Sequence, residues 1–353
     1  MKLIIINYSM SSKSLVFAHQ RETAIALSQY FESVTVFTPE VSYENLPTNM
    51  KVNLLKWHKN SPVQNTYTIL KTLTPYLLSN RKAVVFTHMT DVHAALISPI
   101  TWLFRIRHVL WYAHATNSPF LIWSSFFVNK ILSSTSGSCN LKVNMHKIHF
   151  INQGINQKAF PFQIDKSIER TKLFYYGRLD KSKNIHLFVE LFEELKHLEN
   201  FITLDIFGKP ANKQSEMYLV NIRLNPLVKN ANSSVNFHGP IQRKNIPLAV
   251  EEFDVFLNLF NGSLDKTLIE ATFMGKPVVT WNQEYCRDFG TWSGAPVAKS
   301  LDFISREILA LQSVKSSDLR AELERRLNLG LEMHSFDGWV YRLASGLRED
   351  LHS

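Results

Sequence analysis

The sequence predicts an α/β fold made of two doubly wound, largely parallel sheets, and three observations carry that expectation. The chain has 353 residues, too many for one ordinary hydrophobic core. Its apolar residues fall in short continuous runs, rich in β-branched and aromatic types and bounded by Gly, Asn, Pro or His. Strands buried on both faces of a parallel sheet read that way. Amphipathic stretches separate the runs, and the strand–helix alternation occurs twice along the chain.

In chain order, the first half offers "KLIIIN", "VTVFT", "AVVFTH", "HVLWYAH" and "KIHFIN" as strands. The second half offers "KLFYYG", "ITLDIFG", "VNFHG", "DVFLNL" and "PVVTW". Between them, "NIHLFVELFEELKHLE", "RKNIPLAVEEF" and "DKTLIEATFM" space apolar residues as helices do. The polar stretch from Asn152 to Lys172 has no periodicity and carries Gly154 and Pro161 as breakers, so it marks a seam. The expected domains are 1–160 and 161–330. A tail from about Ala321 holds two helical patterns split near "MHSFDG", leaving 331–353 as a terminal helix.

Composition is that of a globular protein, 45% apolar and 20% charged. The two cysteines, Cys139 and Cys286, stand far apart in no metal-type spacing, which points to a reducing compartment without a disulfide framework. Net charge is +9, unevenly placed. Residues 1–164 hold 15 Lys/Arg and 5 Asp/Glu, giving +10; residues 165–353 hold 24 and 25, giving −1. A basic half attracts phosphate-rich partners or an anionic membrane, although a high isoelectric point also serves solubility. "MKLIIINYSM" has too short an apolar run for a secretory leader, so a cytoplasmic protein is expected, peripheral at most at the inner face of the cell membrane. "AALISPITWLFRIRHVLWYA" is interrupted by Pro99, Arg105 and Arg107 and does not read as a membrane span. "FLIWSSFFVNKIL", Phe120 to Leu132, reads either as an interfacial helix or as an ordinary buried one.

Paired sheets of this type bind ligands beyond the carboxyl ends of their strands. After "KLFYYG", which ends at Gly177, come Arg178 and Lys183, two cations that suit a diphosphate gaining charge as it leaves. A solvated loop with Asp180 and Lys181 as neighbours is the plain alternative. Gly208 and Lys209 follow the next strand, and Pro240 and Ile241 the one after. After "DVFLNLF", Ser263 or Asp265 can cap a helix whose N–H groups favour an anion. Glu270 lies inside that helix, four residues after Lys266, so an exposed ion pair is the modest reading. A carboxylate near a sheet edge otherwise needs a partner, such as a vicinal diol.

Together, "FYYGRLDKSKNI", "IFGKP", "VNFHGPI", "FDVFLNLFNGSLDKTLIEATFMGKPVV" and "INQGINQKAF" resemble the motifs of the family-4 retaining glycosyltransferases in order and spacing. The resemblance covers residues 145–285; the first half fits weakly, through "FTHM" and "LWYAH". It implies a GT-B fold: two Rossmann-like domains facing a cleft, the C-terminal helix crossing back to the first. It also implies a nucleotide-diphospho-sugar donor, UDP or GDP foremost, as substrate with no separate cofactor; no Asp-x-Asp occurs in the chain, so a metal-bridged donor site has no sequence support. Carried over by position, Arg178 and Lys183 clamp the diphosphate, with Gly177, Gly208, Lys209, Pro240 and Ile241 around the donor. Glu270 binds the ribose, and Ser263, Leu264, Asp265, Lys266 and Thr267 meet phosphate and sugar. His114 stands near the reacting sugar, with His88 a weaker candidate. His114, Arg178, Lys183 and Asp265 form the expected catalytic set. Ser11, Ser12 and Lys13 stand where the family has its N-terminal glycine loop; they could contact acceptor or phosphate, and a polar strand-to-helix loop is the default reading.

The sequence also departs from the family's pattern. The family carries a Glu eight residues before its ribose-binding Glu, and Gly262 stands there instead. Gln153, Asn156 and Asn184 also replace the usual Asn, Asp and Gly. The implied activity is retaining transfer to a glycan or lipid-linked acceptor in surface-polysaccharide synthesis. A non-catalytic nucleotide-sugar-binding protein on the same fold is the rival. A nucleic-acid-binding role has no motif behind it, since the basic residues are scattered.

Overall fold

The computed structural model describes residues 1–14, 17–56, 61–163, 171–195, 203–225, 228 and 235–348. Parts of the expected seam, of "NIHLFVELFEELKHLE" and of "ITLDIFG" lie outside them. The chain divides into two compact units, Met1–Asn152 with Asp337–Ser353, and Gln153–Phe336. The divisions thus fall at 152 and 336 rather than at 160 and 330. Gln153 already belongs to the second unit because its side chain donates to the Leu264 carbonyl there, at 2.5 Å.

The first unit is a seven-stranded parallel sheet. Its strands are β1 (Lys2–Ile6), β2 (Ser33–Thr38), β3 (Met50–Leu54), β4 (Val84–His88), β5 (His108–Trp111), β6 (Lys130–Ser133) and β7 (Ile148–Phe150), in the order 3-2-1-4-5-6-7. The helices are α1 (Ala18–Leu27), α2 (Pro62–Ser79), α3 (Asp91–Leu103) and α4 (Pro119–Phe127). Two strands escape the sequence reading. β3 is a half-exposed edge strand without an apolar run. β6 hides inside "FLIWSSFFVNKIL", where helix α4 ends at Phe127 and Val128 turns extended. Asn129 then anchors the new strand, exchanging hydrogen bonds with His108 through its amide oxygen and backbone N–H, both at 2.8 Å.

The second unit is a five-stranded parallel sheet of β8 (Lys172–Arg178), β9 (Thr203–Lys209), β10 (Val235–His238), β11 (Val255–Asn258) and β12 (Val278–Thr280), ordered 10-9-8-11-12. Its helices are α5 (Ile185–Leu195), α6 (Lys213–Arg223), α7 (Lys266–Phe273), α8 (Gln283–Phe289), α9 (Leu301–Ser313) and α10 (Ser316–His334). "RKNIPLAVEEF" is helical only over Ile246–Ala249, following a tight turn. Helix α5 buries Ile185, Phe188, Val189 and Phe192 on one stripe. Helix α7 instead buries every residue from Leu268 to Phe273, Glu270 included.

A last helix, α11 (Phe336–Arg348), returns to the first unit. The Arg107 guanidinium caps its carboxyl end, donating to the carbonyls of Leu347 (2.9 Å) and Gly346 (3.1 Å). Trp339 meets Trp111 edge to face at 5.2 Å, and Arg342 donates to the Ile151 carbonyl at 2.9 Å.

Candidate active site

In the second unit the strand order reverses between β8 and β11, the place where open α/β sheets leave a crevice. The loops leaving those two strands carry the candidate residues. Beyond β8, Asp180 caps a tight turn through Lys181–Lys183, accepting from the Ser182 N–H at 3.0 Å. Asn184 then adopts the left-handed conformation that a family glycine would supply, and donates to the Leu259 carbonyl at 2.7 Å. That turn drives Lys183 inward, 7% exposed. Its ammonium meets Asp265 at 2.5 Å and lies 3.6 Å from the centre of the Phe260 ring.

Asp265 performs two tasks. Its Oδ1 accepts from the Thr267 N–H as the cap of α7, and its Oδ2 receives Lys183 and the Asn258 amide. Burial pushes its carboxyl up, yet Lys183 and the donated hydrogen bonds outweigh that and hold it below the ordinary carboxylate value. Glu270, one turn along, is 5% exposed. Arg243 donates to its Oε1 at 2.6 Å and the Tyr176 hydroxyl to its Oε2 at 3.3 Å. Burial raises its carboxyl; Arg243 and then Lys266 pull it down without cancelling the rise. The modest alternative of an exposed pair with Lys266 does not hold: the carboxylate is buried, and its hydrogen-bonded cation is Arg243.

The loop between β11 and α7 is held by its main chain. Leu259 O accepts from Asn184 and, at 3.0 Å, from the Trp281 indole. Gly262 O and Ser263 O accept from the Asn282 amide at 3.0 and 3.3 Å. The Leu264 N–H donates to Glu284 at 2.6 Å while its carbonyl takes Gln153. Both backbone groups of Leu264 are thus committed, and its side chain is buried, which removes it from the expected ligand-facing set. A Cβ at Gly262 would lie 2.1 Å from the Phe260 ring. The ring that covers Lys183 occupies the room the missing carboxylate would need.

The other expected residues fall as follows. Gly177 and Gly208 are register partners, and a Cβ on Gly208 would sit 2.0 Å from the Gly177 carbonyl, so only glycine permits these strand ends to meet. Arg178 is exposed and loosely paired with Asp180 at 3.8 Å. Lys209, Pro240 and Lys266 are exposed, Ser263 and Thr267 half-buried, and Ile241 packs against the core. In the first unit, His114 is exposed just past β5, with Tyr112 6.1 Å away ring to ring. His88 is corrected to an enclosed residue, 1% exposed among Phe86, His19 and Trp111. Ser11 accepts from the Lys13 N–H at 3.2 Å, and the Ser12 N–H donates to Ser42 at 3.3 Å, so this stretch is a turn tied to the loop at Ser42, with Ser12 and Lys13 exposed. Arg243, Tyr176 and Asn258 are additions. Asn258, a polar residue at the end of the buried run "DVFLNL", was the readable signal. Among the described residues, no three His, Cys, Asp or Glu side chains gather closely enough to hold a metal ion.

Two parallel-sheet Rossmann-like units with a returning C-terminal helix define the GT-B fold, and the comparisons agree. Residues 170–298 match the family model "Glycosyl transferases group 1". Three solved structures share the fold. Alr3699/HepE of Anabaena, in complex with UDP, aligns with TM-score 0.72 and 11% identity over 99% of this chain and 100% of its own. A sucrose-phosphate synthase from Thermosynechococcus elongatus aligns at 0.70 and 12%, over 99% of each chain. The lipopolysaccharide outer core galactosyltransferase WaaB aligns at 0.67 and 12%, over 99% of this chain and 100% of its own. No curated protein matches the sequence.

Proposed function

We propose that this protein is a retaining glycosyltransferase. It would move a hexosyl group from a nucleotide-diphospho-sugar, with UDP or GDP as the nucleotide, to a glycan or lipid-linked acceptor in surface-polysaccharide synthesis. The observation that carries the reading is the β8/β11 crevice. Around it stand a capped helix start, a buried Lys183–Asp265 pair, the exposed Arg178 and a buried carboxylate, Glu270, with a hydroxyl and a guanidinium on it. A ribose diol offers Glu270 two donors in place of Arg243, whose guanidinium is then released toward the phosphates. Arg178 and the first turn of α7 would stabilise charge growing on the leaving diphosphate, the largest lever available to such chemistry. Retention needs no side-chain nucleophile if the leaving phosphate takes the acceptor's proton. That neighbouring proteins of this fold include a UDP complex and a galactosyltransferase supports the donor class.

In the first unit His114 is the candidate beside the reacting sugar, and Ser12 and Lys13 face the acceptor. The basic first half would bring the protein to an anionic membrane, where a lipid-linked acceptor resides. No helix among the described residues is long and apolar enough to cross a membrane, so the contact would be peripheral.

A melting-temperature panel with UDP-, GDP- and ADP-sugars tests the donor. One class should stabilise the protein, and Glu270→Gln should weaken that ligand about tenfold by removing a charged acceptor. If none of the three stabilises the wild type, the donor reading is lost. Arg178→Ala should then abolish turnover while leaving the fold intact; retained turnover would remove Arg178 from the mechanism.

A further inference from the structure

We infer that the outward face of α4, continued by the end of α3, is the surface by which this protein docks on an anionic lipid bilayer. The inference rests on the peripheral contact proposed above and not on the donor chemistry. Helix α4 is largely inverted: it buries Leu121 but also Ser124 and Ser125, whereas Phe120, Ile122, Trp123 and Phe126 face outward. The two serines donate within the helix to the carbonyls of Phe120 (2.6 Å) and Ile122 (2.7 Å), and Ser125 also accepts from the Asn144 amide at 3.0 Å. Water-facing helices ordinarily do the reverse. Trp123 meets Phe127 at 5.0 Å and Phe127 meets Trp102 at 5.9 Å, so an aromatic ridge runs from α4 onto α3. There Trp102 and Leu103 are 61% and 66% exposed.

The charge around the ridge selects the partner. Within the first unit no Asp or Glu occurs between Asp91 and Asn152, while that stretch holds Arg105, Arg107, Lys130, Lys142 and Lys147. Asp91, the first residue of α3, is an acceptor for the α4 cap Ser118 and for the Val92 N–H. Lys147 closes the other end of α4, donating to the Ser125 carbonyl at 2.8 Å. An apolar aromatic face on a basic stretch of chain without acids matches an interface of acyl chains below anionic headgroups. A second copy of the chain fits poorly, because a two-fold pairing would set each basic surround against itself.

Sedimentation of the full chain with vesicles of phosphatidylcholine alone, or mixed with phosphatidylglycerol, tests this. The wild type should bind the mixed vesicles and lose most of that binding in high salt. Trp102→Ser/Phe126→Ser, at exposed positions, should weaken vesicle partitioning about tenfold or more. The variant should keep both the wild-type melting temperature and its nucleotide-sugar response. Lys142→Glu should reduce the preference for phosphatidylglycerol. Equal binding by the double variant would overturn the surface while sparing peripheral contact. Absence of wild-type binding to both vesicles would sink contact and surface together, leaving the donor reading untouched. A dimer in gel filtration that the double variant dissolves would assign the ridge to a second copy instead.

Discussion

At the scale of the residue, Gly262 is explained by its neighbour. The Phe260 ring fills the space in front of its Cα and lies over the Lys183 ammonium, so an acid at 262 and a ring at 260 exclude each other. Gly262→Ala should cost about 1–3 kcal/mol by overpacking, and Phe260→Ala in the same chain should return most of it. Chemical denaturation of the two single variants and the double variant measures this; additive losses would refute the exclusion. Glu270 makes the complementary case. Its carboxyl is raised by burial, so the folded state holds the proton more tightly than the unfolded chain does. Stability therefore falls as pH rises through the window between the ordinary carboxylate value and the raised one. Glu270→Gln should melt no lower than the wild type at neutral pH, and its relative advantage should shrink toward acid pH. A lower melting temperature at neutral pH would mean that the Arg243 pair more than repays the burial of its carboxylate.

At the scale of the element, His108 on β5 joins β4 to α3. Its ring nitrogens contact the hydroxyls of Thr87 and Thr101, both at 3.1 Å. Burial pushes its pKa from 6.5 down to about 3, so below about 6.5 the unfolded chain takes up a proton that the folded one refuses. The first unit should lose stability as pH falls through that range, and His108→Gln should flatten the slope of melting temperature against pH. An unchanged slope would place the acid sensitivity elsewhere, His93 being the next buried histidine. Long, clean runs such as "KLIIIN" and "KLFYYG" made the central strands readable, because strands buried on both faces must be apolar throughout. Edge strand β3 carries no such constraint, and β6 was masked because α4 is apolar on its outer side. The site divides likewise. Lys183, Asp265 and Glu270 were readable from local spacing. Arg243 lies 27 residues from Glu270, and only the sheet brings the two together.

At the scale of the whole molecule, α11 matters more than its length suggests. It places Trp339, Val340, Leu343, Ala344 and Leu347 in the first unit's interior. Burial of a large side chain is worth roughly 1.5–3 kcal/mol, so their joint loss rivals the ~5–15 kcal/mol that stabilise a typical domain. A chain ending at Ser335 should show its first unit unfolded or melting far lower in calorimetry, with the nucleotide-sugar response of the second unit retained. An unchanged first transition would show that the helix is dispensable. The same return of the chain sets an order of events during synthesis. The second unit is one continuous stretch and can close once Phe336 has left the ribosome. The first unit is begun at Met1 but waits for α11, which is made after the whole of the second unit, so it is completed later than the unit that follows it. Domains made on the ribosome ordinarily finish from the amino end forward. Here a nascent chain carries an unfinished sheet, with Trp111 still lacking its partner Trp339, until α11 has been made.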